Sequence, residues 1–358
     1  MMNGYQRIQA VLEGKEVDVT PIGGWQHNSL IDRDPEKMIA GTIRFTEENN
    51  WDLVKIMSQP QYMGEACGDV IEFPENDPAR LCGITKKFAF SSPEALAALE
   101  PLTLENPVFA RELRAADGIV KHYKKEKVVI PTFFTPLSWL KLCTSPIERV
   151  EGLDYSSYQV PTVSDYIEKY PNELMHGLEV IHENNLRLAK GMIEAGVDGF
   201  FYSTQYTTRE LISEADFQRF EKPFLMDFLE KVKGYTWFNV LHVHGIKNLM
   251  FDQIYQCEAQ AFNWEDHVPG VSDEERTSIS EVRSHTDKVI MAGIERVSDF
   301  TFSSSLEEIE KRFKERYQNA CAEVGGKNFI FTPGCGILSN KGIGKDRIRL
   351  IQKVVREG

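Results

Sequence analysis

Paired cysteines, glycine-rich phosphate loops, long apolar runs and an excess of positive charge are all missing from this sequence. The six cysteines (Cys67, Cys82, Cys143, Cys257, Cys321 and Cys335) are scattered without a CxxC pair. In a chain this long, no disulfide framework is needed, and most of these thiols are expected to be reduced and packed as small apolar groups. No GxGxxG turn follows an apolar run, which excludes a dinucleotide-binding crossover and leaves no nucleotide cofactor to expect. No window approaches the roughly 18 apolar residues of a membrane span. The opening Met1-Met2-Asn3-Gly4-Tyr5-Gln6-Arg7 has no apolar signal core, so a cytoplasmic protein is expected. A formal charge of −13 repels phosphate backbones and anionic lipid, so neither nucleic acid nor a membrane surface is an expected partner. Internal repeats, low-complexity tracts and Pro/Gly/Ser linkers are absent too, and residues 1–358 read as one domain.

What is present is an alternation of short apolar runs with helical stretches. The runs are Val19–Trp25, Leu53–Met57, Val128–Phe134, Val197–Tyr202, Thr236–Val243, Gln260–Trp264, Val289–Ile294 and Asn328–Thr332. Each is short and rich in Val, Ile, Phe or Tyr, as buried parallel strands are. Between them lie helix signals: Asp34-Pro35, the Ser213-Glu214-Ala215-Asp216 start, and an apolar stripe through Glu173–Ala195 that stops at Gly196. Eight strands joined by helical crossovers predict an α/β fold, a (β/α)8 TIM barrel. An N-terminal helix over Tyr5–Gly14 should plug or border it. A long insertion between the second and third strands, from Ser58 to Lys127, carries strand-like stretches at Asp69–Phe73 and Lys86–Phe90. It also has helix starts near Ser92-Pro93 and Asn106-Pro107. Its length suits a lid or wall at the barrel mouth.

Catalytic residues of such barrels follow the strand ends, which narrows the search to eight windows. His242 and His244 stand two apart on the fifth predicted strand and project to one side. Cys335 lies between two glycines after the eighth. Side chains from both strands converge over the mouth of an eight-stranded barrel. Two imidazoles and a thiolate with one open position make a catalytic zinc shell; the same HxH pair also suits two hydrogen-bonded core histidines. Glu265 and Glu295 are carboxylates for a fourth ligand or a general base, or caps of following helices. Tyr202, Tyr206 and Gln205 are expected to line the pocket or pack at its rim. Gln26, His27 and Trp264 are further substrate-binding candidates, with Tyr62 behind them. His122, His176, His182 and His285 fall on or beside outer helices and read as structural.

Arg7-Ile8-Gln9-Ala10-Val11-Leu12-Glu13-Gly14 followed by Asp18-Val19-Thr20-Pro21, Gly196-Val197-Asp198-Gly199-Phe200, and Phe331-Thr332-Pro333-Gly334-Cys335-Gly336-Ile337 resemble, in order and spacing, the uroporphyrinogen decarboxylase superfamily. The resemblance runs through nearly the whole chain and implies the barrel already inferred. Cofactor-free decarboxylases of that superfamily, which act in porphyrin biosynthesis, use an arginine-bearing segment after strand one and an aspartate at strand two. Here those positions read Gly23-Gly24-Trp25-Gln26-His27-Asn28, with no arginine after strand one until Arg33, and Lys55-Ile56-Met57-Ser58, with no aspartate. A second branch holds zinc-dependent methyltransferases that pass a methyl group between a corrinoid and a thiol. Their His-x-Cys-Gly and Gly-Cys motifs are similar to His242-Val243-His244-Gly245 and Gly334-Cys335. The resemblance to this branch implies a zinc-dependent methyl (alkyl) transferase with a small-molecule substrate, a separate corrinoid protein as donor and a homodimer. His244 in place of the middle cysteine makes the zinc site one charge less negative, which leaves another methyl acceptor, or hydrolytic chemistry, open beside the thiol.

Overall fold

A computed structural model describes residues 1–73, 80–149 and 151–357. Seven strands form one parallel curled sheet: β1 (Leu53–Ile56), β4 (Val128–Phe134), β5 (Phe201–Thr204), β6 (Val240–Val243), β7 (Ala261–Trp264), β8 (Val289–Ile294) and β9 (Phe329–Pro333), neighbours in that order. Between β1 and β4, the short strands β2 (Val70–Glu72) and β3 (Ile84–Lys87) pair as an antiparallel hairpin. Helices cover the outside, which is the parallel barrel architecture that the alternating runs predict.

The first predicted strand is the correction. Val19–Trp25 forms no ladder; it and the following Gln26 make isolated parallel bridges, Ile22 with Phe331 and Gln26 with Ile337. It still closes the ring. Phe331 N–H donates to Pro21, Gly23 N–H to Phe331, and Asp52 N–H to Ile22, so this segment ties β9 to β1. The chemistry explains the weak strand: Pro21 has no N–H, Gly23-Gly24 has little strand propensity, and Ile22 N–H is taken by the Asp52 carboxylate at 2.7 Å.

Alternation along the strands sorts the side chains. Leu53, Val128, Ile130, Phe201, Val240, Ala261, Val289, Met291 and Ile330 point inward near the strand starts. There they pack with Ile8 and Val11 of the N-terminal helix Gly4–Leu12. That helix plugs the lower end of the barrel. Two residues further along, the inward positions turn polar: Lys55, Thr132, Ser203, His242, Asn263 and Thr332, all buried. The register Ser203 to His242 to Asn263 puts the polar groups of β5, β6 and β7 in one layer. The opposite faces, among them Tyr202, Val243, Phe262 and Trp264, join the helix-covered core.

Local signals fix the helices as expected. Asp34, Ser92 and Asn106 each accept backbone N–H bonds as N-caps with proline in the first turn. The helix Pro171–Glu194 buries Leu174, Leu178, Ile181, Leu188 and Met192, and Gly196 follows at φ +93°. After the Ser213 cap the chain takes a π turn, Phe217–Glu221, before the helix Lys222–Val232. Part of the insertion, residues 74–79, lies outside the described residues. Among the described residues no helix is long and apolar enough to cross a membrane.

Candidate metal centre and cavity

The polar layer opens upward into a cavity of about 500 Å³. His242 and His244 project into it from the end of β6, and Cys335 from the turn after β9. Their ligating atoms all lie within 4.8 Å of one another, with Cys335 Sγ 3.7 Å from His244 Nδ1. A tetrahedral zinc with Zn–S near 2.3 Å and Zn–N near 2.05 Å separates its S and N ligands by about 3.6 Å. The Cys335–His244 pair matches that spacing, and the three ligand types are those zinc takes.

Two backbone features place the sulfur and the ring. A Cβ on Gly334 would stand 2.4 Å from the Trp264 carbonyl oxygen, so only glycine lets the β9 turn come close enough to aim Cys335 inward. His244 N–H donates to the Thr204 carbonyl, which continues β6 past its last ladder residue. Asn263 then sets the His242 tautomer. Its Nδ2 donates to the Met291 and Pro333 carbonyls at 2.7 and 3.1 Å, so its Oδ1 must accept. His242 Nδ1 donates to that oxygen at 2.6 Å, leaving Nε2 with the lone pair a metal requires.

Electrostatics suit the same purpose. Burial would push the Cys335 thiol up, but the Arg296 guanidinium, 3.2 Å from the sulfur, and the two imidazoles hold it well below its ordinary range. Burial also holds His244 below its usual value. Arg296 pairs with Glu265 at 3.2 Å. Burial, and then the Cys335 charge, push Glu265 up to about 8, and its Oε2 has no partner among the described residues. The other cysteines differ: Cys143 is buried, and burial holds its thiol well above the ordinary range.

The remaining candidates divide by strand parity. His27 and Gln205 line the cavity beside the cluster; burial and the nearby Lys55 hold His27 down to about 4. Gln26 lines a smaller void under the helix Pro35–Glu48 instead. Tyr202 faces outward, stacked 4.1 Å from Phe228, and Trp264 donates its indole N–H to Thr277 at 2.8 Å behind β7. Tyr206 is buried against the outer core and holds Lys141 at 5.9 Å from its ring. Glu295 accepts the Val297 and Ser298 amides, so it caps the next turn. Tyr62 reaches the Thr132 carbonyl. His182 pairs with Asp227, His176 with the Leu99 carbonyl, His285 stacks on Tyr255, and His122 meets Tyr123 edge to face. The insertion gives the cavity only Pro60 and Leu81 among its described residues, while residues 141–149, after β4, make much more of the wall.

Sequence reasoning missed three residues: Asn263, Arg296 and Lys55. Lys55 is a charged residue on an inward position of a buried strand, and that conflict with its surroundings was a readable signal. The arginine after strand one that a decarboxylase resemblance would require is absent from the site; Arg33 instead lies over Phe73 at 4.0 Å.

Fold and site together define a parallel α/β barrel with a His2Cys cluster, a candidate metal site, at the C-terminal ends of its strands. Residues 29–345 match the sequence profile described as uroporphyrinogen decarboxylase (URO-D), and the chain belongs to that family. A curated relative, "Methylcobamide:CoM methyltransferase MtaA" of Methanosarcina barkeri (strain Fusaro / DSM 804), is 22% identical over 345 residues. That alignment spans 92% of this chain and 91% of the relative. Among solved structures, a methyltransferase from Methanosarcina mazei superposes with a TM-score of 0.75 at 17% identity, covering 99% of this chain and 98% of its own. A B12-independent methionine synthase from Shewanella sp. W3-18-1 has a TM-score of 0.56 at 10% identity, with 94% and 96% covered. These structural likenesses show the shared fold.

Proposed function

We propose that this protein is a zinc-dependent methyltransferase that moves a methyl group from a separate corrinoid protein to a small thiol. The observation that carries the reading is the meeting of His242, His244 and Cys335 in one cavity, with the His242 tautomer set by Asn263. The curated relative supports it, since its name describes methyl transfer from a methylcobamide to CoM. His242 Nε2, His244 Nδ1 and Cys335 Sγ would hold the metal. Bound there, zinc supplies the Lewis acidity that lowers the pKa of a thiol at its open position.

The rest of the chemistry belongs to the chain. The acceptor S–H gives up its proton, a sulfur lone pair forms the new S–C bond, and the electron pair of the carbon–donor bond leaves with the donor. Glu265, with one oxygen on Arg296 and the other without a partner among the described residues, is the group assigned to take that proton. Gln205 and His27 contact the substrate from the wall. One neutral imidazole in place of a second thiolate leaves the centre more electrophilic, so thiol ionisation is favoured at some expense of nucleophilicity.

Metal analysis of protein purified without chelator tests the proposal. Close to one equivalent of zinc is expected, and His242→Ala with Cys335→Ala should remove it. Less than a tenth of an equivalent in the unaltered protein, or full retention in the double variant, would overturn the reading.

A further inference from the structure

Lys55 is the odd member of the polar layer. Its side chain is buried, and its Nζ sits 4.3 Å from the centre of the Phe201 ring and 5.3 Å from that of Trp25, with Met57 Sδ 2.7 Å away. No carboxylate lies within ion-pair distance among the described residues. Two aromatic faces and a thioether stabilise an ammonium far less than the water it has lost. Burial accordingly lowers its pKa to about 7. A natural chain keeps such a group when something arrives to pair with it.

The cavity around it has the same bias. Lys141, Arg149, Arg296 and Lys341 also line it, on a chain whose overall charge is −13. Among its described lining residues the one carboxylate is Glu148, already engaged by Arg80 and the Leu81 amide. Phe201 links the two ends of the cavity floor: Lys55 lies over its ring, and the His242 ring stacks on it at 5.2 Å. One aromatic ring therefore separates the amine from the metal-ligating cluster.

We propose that Lys55 is a substrate-binding residue that pairs with an anionic group, a carboxylate or sulfonate, on a short substrate whose other end reaches His242, His244 and Cys335. The position of the second end rests on the transferase reading; the anion site stands on the cavity alone. Arg296 is already committed to Glu265 and Cys335, which leaves Lys55 as the deep cation for this group.

Calorimetric titration of zinc-loaded protein with 3-mercaptopropionate and with uncharged 2-mercaptoethanol tests it. The acid should bind at least tenfold more tightly. Lys55→Met should erase that gap by weakening the acid and leaving the alcohol unchanged. Lys55→Gln, with thermal melts on both variants, serves if the methionine protein does not fold. An unchanged gap, or an equal loss for both thiols, would overturn the proposal. Butyrate titrated into metal-free protein separates the two readings. Lys55-dependent binding of butyrate with no zinc-dependent response to either thiol would keep the anion site and sink the transferase.

Discussion

His242 Nδ1 donates to Asn263 Oδ1 at 2.6 Å, and the asparagine amide is itself held by the carbonyls of Met291 and Pro333. The orientation of one candidate ligand is thus fixed by three neighbouring strands. Asn263→Ala should weaken zinc binding about 10- to 100-fold, the usual effect of losing a partner behind a histidine ligand. It should also cost about 1–3 kcal/mol of stability, because buried acceptors lose their donor. Competition with a chromogenic chelator measures the first and denaturant unfolding the second. Unaltered zinc affinity would mean that the imidazole is oriented by something else.

The approach of the β9 turn to β7 gives a second prediction. In Gly334→Val the added Cβ would meet the Trp264 carbonyl and the Glu265 Cα, at 2.4 and 2.6 Å, so the backbone carrying Cys335 must move. Loss of bound zinc is expected, with a stability loss of about 1–3 kcal/mol. Gly336→Ala is the control: its Cβ would meet nothing nearer than 3.5 Å, and zinc should stay. Equal zinc content in all three proteins would disprove the steric argument.

Asp32 predicts a pH effect remote from the His2Cys cluster. It is buried, neither oxygen has a partner among the described residues, and burial, reinforced by Glu112, pushes it up to about 7 from 3.8. Between those values the unfolded chain holds fewer protons than the folded one, so stability falls as pH rises from about 4 to about 7. Asp32→Asn removes that loss. The variant should be more stable than the unaltered protein at pH 8, by a few kcal/mol at most, and little different at pH 4. Urea unfolding at both pH values checks this; a constant difference between them would refute it.

The family name itself invites a fourth test. Neither the Gly23–Asn28 segment nor the Lys55–Ser58 segment carries the arginine and aspartate that the decarboxylase resemblance calls for. Anaerobic incubation with uroporphyrinogen should yield no coproporphyrinogen by chromatography. Its appearance would restore the decarboxylase reading.

Local chemistry made the barrel legible. Apolar runs, proline-led helix starts at Asp34, Ser92 and Asn106, and the stop at Gly196 are all short-range signals that the chain states outright. The HxH spacing and the glycine-flanked Cys335 likewise announced the cluster. Val19–Trp25 misled because apolar content alone does not report how Pro21 and Asp52 compete with the ladder.

The sequence by itself determined which residues alternate along each strand and which backbone positions demand glycine, because both follow from bonds and sterics within a few residues. Only the tertiary structure decided which alternate set faces the cavity. That parity turns Ser203 and Asn263 inward and Tyr202 and Trp264 outward, and it depends on the register between strands far apart in the chain. The same long-range pairing brings Arg296 to Cys335 and buries Lys55 among aromatic rings. Contacts of that kind are set by the balance of burial over the whole barrel, which no local stretch of sequence records.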